Sequence, residues 1–153
     1  MECSDPEVPE ERMRQQAARV FLGEDDSEMR SLVAAALRRD GHEVIEAADG
    51  LDLLFWVESQ QASALRARRD VVVTDVRMPG ASGLEVLAAL RHSQPTIPVV
   101  IVTGFGDADT HFTAHWLGAS AVFDKPFDLA ALRKTVLRLS LSGPMPVNNN
   151  GVS

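Results

Sequence analysis

Val71-Val72-Val73-Thr74-Asp75-Val76-Arg77-Met78-Pro79-Gly80 is the stretch on which the reading of this chain turns. It is a short, continuous run rich in β-branched residues, cut off by Pro-Gly. Such a run suits a strand buried on both faces, as in a parallel sheet, where neither side needs polar residues. Its carboxyl end carries one acid, Asp75. In open α/β sheets chemistry gathers at the carboxyl ends of the strands, although an Asp before Pro-Gly also suits a turn. What the neighbouring strands place beside Asp75 therefore decides its meaning.

On the amino-terminal side, Arg19 to Gly23 form a first apolar strand that ends in Glu24-Asp25-Asp26. A helix follows, with Met29, Leu32, Val33, Ala36 and Leu37 spaced to share an inward face. It stops at Asp40-Gly41, where glycine suits the left-handed position after a helix. His42 to Ala47 read as a second strand. Asp49-Gly50 then turn into a helix from about Leu51 to Arg68, with Leu53, Leu54, Val57 and Leu65 inward. Its basic end (Arg66, Arg68, Arg69) suits the negative pole of a helix dipole.

Beyond the central run, Ser82-Gly83-Leu84-Glu85 has the spacing of a capping box, and Leu84, Leu87 and Leu90 give the third helix its apolar stripe. Ile97 to Val102 make a fourth strand that ends at Thr103-Gly104. A fourth helix begins near Asp107 and carries Phe112, with Trp116 expected in the core. Ala119 to Asp124 form a fifth strand closed by Lys125-Pro126, and Asp128 caps a last helix whose Leu129, Leu132, Val136 and Leu139 face inward. Five strands alternating with five helices predict βαβ crossovers and a parallel sheet covered on both faces. One domain, residues 19–141, is expected between an amino-terminal arm (1–18) and a disordered tail (142–153).

Composition narrows the function classes. The 153 residues are 45% hydrophobic and 24% charged, with a net charge of -7. That balance argues against bulk nucleic-acid binding, which favours a basic face. The one cysteine, Cys3, permits no internal disulfide and fits a reducing compartment. No signal-peptide pattern opens the chain, and its longest apolar runs are too short to span a membrane. The expectation is a soluble cytoplasmic domain.

The strand ends carry the chemistry. In a doubly wound sheet of order 2-1-3-4-5, strands one, three, four and five are consecutive neighbours. Their ends would gather Glu24, Asp25, Asp75, Thr103 and Lys125 into one cleft. Three carboxylates together favour protons or a divalent cation, and hard oxygen donors with open water positions suit Mg²⁺. One carboxylate oxygen could then attack phosphorus, with Thr103 and Lys125 aiding the phosphoryl oxygens.

With the acidic pair, the D-x-x-M-P-G turn, the V-T-G strand end and the K-P-F segment in order, the chain from Arg19 to Leu141 resembles a response-regulator receiver domain of two-component signalling, with its flavodoxin-like fold. The resemblance implies that Asp75 accepts a phosphoryl group from a sensor histidine kinase or histidine phosphotransfer protein. It implies that Glu24, Asp25, Asp75 and the Arg77 carbonyl hold Mg²⁺, with Glu24 acting through water. It also implies a cis Lys125-Pro126 bond and a donor docked on the first helix and the Pro126-Phe127 loop. Output would pass by protein–protein contact to a downstream target, with a phosphorylation-dependent homodimer left open and no nucleic acid or membrane bound directly. The chain is expected to be a stand-alone switch that catalyses only its own phosphoryl transfer and dephosphorylation.

Two departures stand out. Receiver domains usually carry an aromatic residue where this chain has Val122; strand alternation points Phe123 to the opposite face, so it cannot substitute. Bulky Arg77 and Phe105, each two residues after a site residue, imply slow loss of the phosphoryl group. The rivals are a phosphorylation-independent scaffold, a fragment of a larger transcription regulator, and a Mg²⁺-dependent aspartyl-phosphate phosphatase. The last would need a second acid two residues after Asp75, where Arg77 stands. His111 and His115 lack the H-E-x-x-H pattern of a metalloprotease and read as partly exposed helix residues.

Overall fold

The computed structural model describes residues 17–61, 69–104 and 108–141. Five strands and five helices alternate: β1 (Ala18–Gly23), α1 (Ser27–Arg39), β2 (Glu43–Ala47), α2 (Gly50–Gln60), β3 (Arg69–Asp75), α3 (Gly83–Ser93), β4 (Val99–Thr103), α4 (Ala108–Trp116), β5 (Ala121–Asp124) and α5 (Leu129–Leu141). All strand pairs are parallel, in the order β2-β1-β3-β4-β5. The alternation predicts the parallel sheet covered on both faces, and the doubly wound, flavodoxin-like order is the one that the resemblance implies.

The apolar runs became central strands because alternate residues bury into different layers. Val20 and Leu22 of β1, Val71 and Val73 of β3, and Val100 and Val102 of β4 pack against Val33 and Leu37 of α1 and Leu132 and Val136 of α5. Phe21, Val72, Val99 and Ile101 point the other way, onto Leu53 and Val57 of α2, Val86, Leu87 and Leu90 of α3, and Ala114 of α4. Burying one such side chain fully contributes about 1.5–3 kcal/mol, which is why no polar face is needed on β1, β3 or β4.

Short side chains start the helices. Asp26 accepts hydrogen bonds from the N–H groups of Glu28 and Met29 at 3.0 and 3.3 Å, and Asp49 accepts from Asp52 at 2.8 Å. Ser82 and Glu85 form the complete reciprocal capping box. Asp128 accepts from Ala130 at 3.0 Å. Each cap is worth about 1 kcal/mol relative to Ala.

Several details differ from the sequence expectations. Trp116 is not core: it is 66% exposed and stacks beside Phe112, ring centroids 6.4 Å apart. Ala114 sets the inward face of α4, and residues two positions away on either side point roughly to the opposite face. Leu32 is also exposed, because Val33, Ala36 and Leu37 define the buried stripe of α1 one position further round. Arg69 opens β3 rather than ending α2. The strands β1, β2, β4 and β5 shift by one or two residues at their starts, as helix and strand ends usually do. The arm, the tail, Leu65, Arg66, Arg68, Phe105 and Asp107 lie outside the described residues. No helix among the described residues is long and apolar enough to cross a membrane.

Candidate functional site

The crossovers bring the carboxyl ends of β1, β3, β4 and β5 to one edge of the sheet. Each of Glu24, Asp25 and Asp75 offers a carboxylate oxygen, and these oxygens lie within 4.8 Å of one another. Glu24 and Asp75 are buried, whereas Asp25 faces solvent. Thr103 is buried at the end of β4, one step beyond Val102, the register partner of Asp75. Lys125, immediately after β5, reaches into the cluster: its Nζ donates to Asp75 Oδ2 at 2.8 Å and Glu24 Oε1 at 3.1 Å. The Arg77 N–H points at Asp75 Oδ1 from 3.4 Å.

The backbone around the cluster is tightly held. Val76 donates to the Val102 carbonyl at 2.9 Å, and Lys125 N–H to the Thr103 carbonyl at 2.7 Å. Gly80 takes φ +83, the left-handed region that glycine enters without a Cβ penalty, and so lets the chain reverse after Pro79. Gly83, at the start of α3, lies so close to the strand end that a Cβ there would sit 2.2 Å from the Asp75 carbonyl oxygen. Its N–H donates to the Val76 carbonyl at 2.8 Å.

Two supports carried no clear sequence signal. Arg30, one turn into α1, donates to the Glu24 carbonyl at 2.8 Å and to Glu46 of β2 at 3.2 Å, fixing the loop that carries the acids. Asp26 N–H donates to Glu24 Oε2 at 3.1 Å. The first depends on how the loop after β1 folds back on α1 and on the placement of β2, and the acidic run itself masked the second.

Burial pushes the Glu24 carboxyl above its ordinary range, with the Asp75 charge adding to the rise; hydrogen bonds from Asp26 and Lys125 only partly offset it. Burial acts on Lys125 in the opposite sense, but Asp75 and Glu24 together outweigh it and hold the ammonium's pKa above ordinary. The site thus concentrates three carboxylates against one ammonium. Oxygen donors of this kind, two buried and one open to solvent, fit a small hard divalent cation that keeps some water ligands.

The lysine–proline bond that follows is cis. Beside it, Met29, Leu32, Lys125, Pro126, Phe127 and Leu129 line a mostly apolar groove of about 360 Å³. Phe123 and Val122 face opposite layers of the fold, as strand alternation requires.

The family described as the response regulator receiver domain matches residues 20–137. Among curated proteins, the response regulator protein FleR of Pseudomonas aeruginosa is 35% identical over 130 residues, which cover 85% of this chain and 26% of FleR. Sporulation initiation phosphotransferase F of Bacillus subtilis is 30% identical over 118 residues, 77% of this chain and 90% of that protein. A receiver domain protein from Clostridium thermocellum superposes with TM-score 0.71 at 29% identity, over 80% of this chain and 93% of that one. The chain spans about a quarter to a half of the length of FleR and of a second regulator from Mycobacterium tuberculosis.

Proposed function

The chain belongs to the response regulator receiver domain family, whose members are signalling switches rather than conventional enzymes, and from that premise we propose that Asp75 is the phosphoacceptor of a two-component switch. The observation that carries the reading is the ammonium of Lys125 bridging Asp75 and Glu24 at 2.8 and 3.1 Å beside the three-carboxylate cluster. A carboxylate oxygen of Asp75 attacks the phosphorus of a phosphohistidine on the donor protein. The new phosphorus–oxygen bond forms as the phosphorus–nitrogen bond breaks, and the imidazole leaves with the electron pair and takes up a proton. Lys125 and the Thr103 hydroxyl stabilise the charge on the transferring oxygens, where preformed donors in a water-poor site act most strongly.

Glu24, Asp25, Asp75 and the Arg77 carbonyl are the residues that would hold Mg²⁺. When bound, the cation offsets the repulsion among the acids and the incoming phosphoryl oxygens. Asp25, exposed to solvent, would be the most accessible ligand, and Glu24, held by Asp26 N–H and Lys125, would act through water. The groove between α1 and the Pro126-Phe127 loop lies next to Lys125. We assign it to the donor, a sensor histidine kinase or phosphotransfer protein presenting apolar side chains beside its histidine. Residues 19–141 are the receiver unit in this reading.

The test is intact mass after incubation with Mg²⁺ and a small-molecule phosphodonor. Wild type should gain one phosphoryl group and Asp75→Asn none. Saturating Mg²⁺ should also raise the melting temperature of wild type and leave Asp25→Asn unmoved, since a ligand at about a hundred times its Kd contributes about 2.7 kcal/mol. A phosphoryl adduct retained in Asp75→Asn, or no adduct while Mg²⁺ still binds, would overturn the assignment, and the second outcome would favour a phosphorylation-independent scaffold.

A further inference from the structure

His111 and Asp124 form a titratable pair that the phosphoryl chemistry does not use. His111 Nε2, on α4, lies 2.8 Å from Asp124 Oδ1, the last residue of β5. Asp124 is in register with Thr103 and shares a peptide group with Lys125, whose N–H donates to the Thr103 carbonyl at 2.7 Å. An unbroken path thus runs from Asp75 through Lys125 and Asp124 to His111. Val122 and Asp124 occupy the same side of β5 by alternation, and Val122 packs in the layer that contains Ala114 of α4.

The helix at the end of that path carries the exposed apolar groups of this face. Ala114 is its one fully buried residue. Its carboxyl end is tied through Gly118, whose carbonyl accepts from Arg91 at 2.8 Å. Toward its amino end, His111 links it to the β5 terminus. Phe112 and Trp116 stand exposed on the same helix, so any movement of α4 re-aims the largest apolar groups on that face.

We propose that His111, acting through Asp124, is a positioning residue for Lys125 and couples the α4 face to the state of Asp75. The proposal rests on Asp75 as phosphoacceptor. Drawing Lys125 toward a phosphoryl group carries its peptide along, which displaces the Asp124 carboxylate and pulls α4 with it. The tie is strongest with a protonated imidazole, because a charge-assisted hydrogen bond is roughly twice as strong as a neutral one. Imidazole changes charge between about pH 5 and 8, so the coupling is pH-sensitive. Among the described residues, the other titratable groups on α4 and the elements packed against it are these. Its own helix carries Asp109 and His115; β4 carries none. On α3, Glu85 is engaged with Ser82, Arg91 with the Gln94, Ile97 and Gly118 carbonyls, and His92 lies at the carboxyl end. Asp124 is the acid in contact.

The experiment measures phosphorylation by a small phosphodonor from pH 5.5 to 8 in wild type, His111→Gln, Asp124→Asn and the double variant, with melting temperatures to show that each is folded. Wild type should show a change of about two- to fivefold across the imidazole range, on top of any donor effect common to all four proteins. Each single variant should lose it, and the double variant should lose no more. Identical profiles in wild type and both single variants would overturn the proposal. Imidazole NMR supplies a second readout: phosphorylation should shift the His111 titration upward in wild type but not in Asp124→Asn. An equal shift in both would mean a through-space field only and would also overturn it. If wild type takes up no phosphoryl group, the Asp75 reading fails on its own. The latch is then decided by the His111 titration in Lys125→Gln, where a change that requires Asp124 supports it and no change refutes it.

Discussion

Replacing Gly83 with alanine should disable the site without removing any of its polar side chains. The new Cβ would meet the Asp75 carbonyl oxygen at 2.2 Å, its carbonyl carbon at 3.0 Å and the Val76 Cα at 3.1 Å. All three are backbone atoms, so no side chain can rotate away. Reaching ordinary carbon–oxygen contact requires the β3 end and the start of α3 to separate by about 1 Å. That movement also stretches the 2.8 Å bond from Gly83 N–H to the Val76 carbonyl. Overpacking of this size costs about 1–3 kcal/mol, which a domain of ordinary stability survives. A displacement of about 1 Å in a reacting group costs on the order of 10²-fold in rate. Initial rates of mass gain with Mg²⁺ and a small phosphodonor give the kinetic effect, and denaturant midpoints give the stability. Gly104→Ala is the control, since among the described residues no atom beyond its chain neighbours lies within 4 Å of a Cβ there. A folded Gly83→Ala protein that phosphorylates within twofold of wild type would refute the reasoning, because the strand end would then have moved without consequence.

Other substitutions separate stability from chemistry. Arg19 and Asp70 form a two-pronged ion pair, at 3.0 and 3.1 Å, with side chains only 10% and 4% exposed. Asp70→Ala leaves the buried guanidinium without its carboxylate and should cost about 3–5 kcal/mol in urea unfolding while leaving Mg²⁺ affinity unchanged. A loss below 1 kcal/mol would mean that water reaches Arg19. Asp40 sits beside Arg133, whose hydrogen bonds at 2.7 and 2.9 Å hold its carboxyl below the ordinary 3.8. A depressed acid stabilises the fold above its ordinary pKa, and that stabilisation fades as pH falls through the folded value. Wild type should therefore exceed Arg133→Gln by a constant margin from neutral pH down to about pH 5, with the margin closing below about pH 4. A margin that widens on acidification would contradict this.

How far the chain could be read in advance depended on the kind of signal. The strands β1, β3 and β4 were legible because continuous runs such as Val71 to Val73 fit few environments other than a two-sided core. The crossovers implied a parallel sheet but not its strand order; order 2-1-3-4-5 was one of the two common doubly wound orders, and it is the observed order that brings Glu24, Asp25, Asp75, Thr103 and Lys125 to one edge. Contacts that need tertiary geometry were not legible. Gly83 looked like part of a capping box, which it is, yet its closer constraint is the Asp75 carbonyl. Arg30 carried no reading from the sequence, because its contacts with the Glu24 carbonyl and Glu46 are set by the fold. Trp116 was misjudged because α4 is only nine residues long. Over so few turns a large apolar residue gives little indication of which side is inward, and the small Ala114 sets it instead.

The two ends of the sheet divide their electrostatic work. At the amino ends of β1 and β3, Arg19 and Asp70 satisfy each other, and Gln60 and Gln61 complete the set. There the ionised groups of Arg19 and Asp70 offset each other, so that contact adds order to the strand ends. At the carboxyl ends, three acids cluster, two of them, Glu24 and Asp75, bridged by the Lys125 ammonium, and burial already lifts the Glu24 carboxyl. The raised pKa means that ionised Glu24 weighs against the fold at neutral pH, because the stability it lends while protonated is lost as pH rises through the folded value. The same strands that hold the Arg19–Asp70 pair at one end hold the acidic cluster at the other. An excess of negative charge fixed beside a donor groove is what a site needs if a cation and a phosphoryl group are to change its state. Removing the excess should therefore stabilise the free protein and silence the switch in the same step.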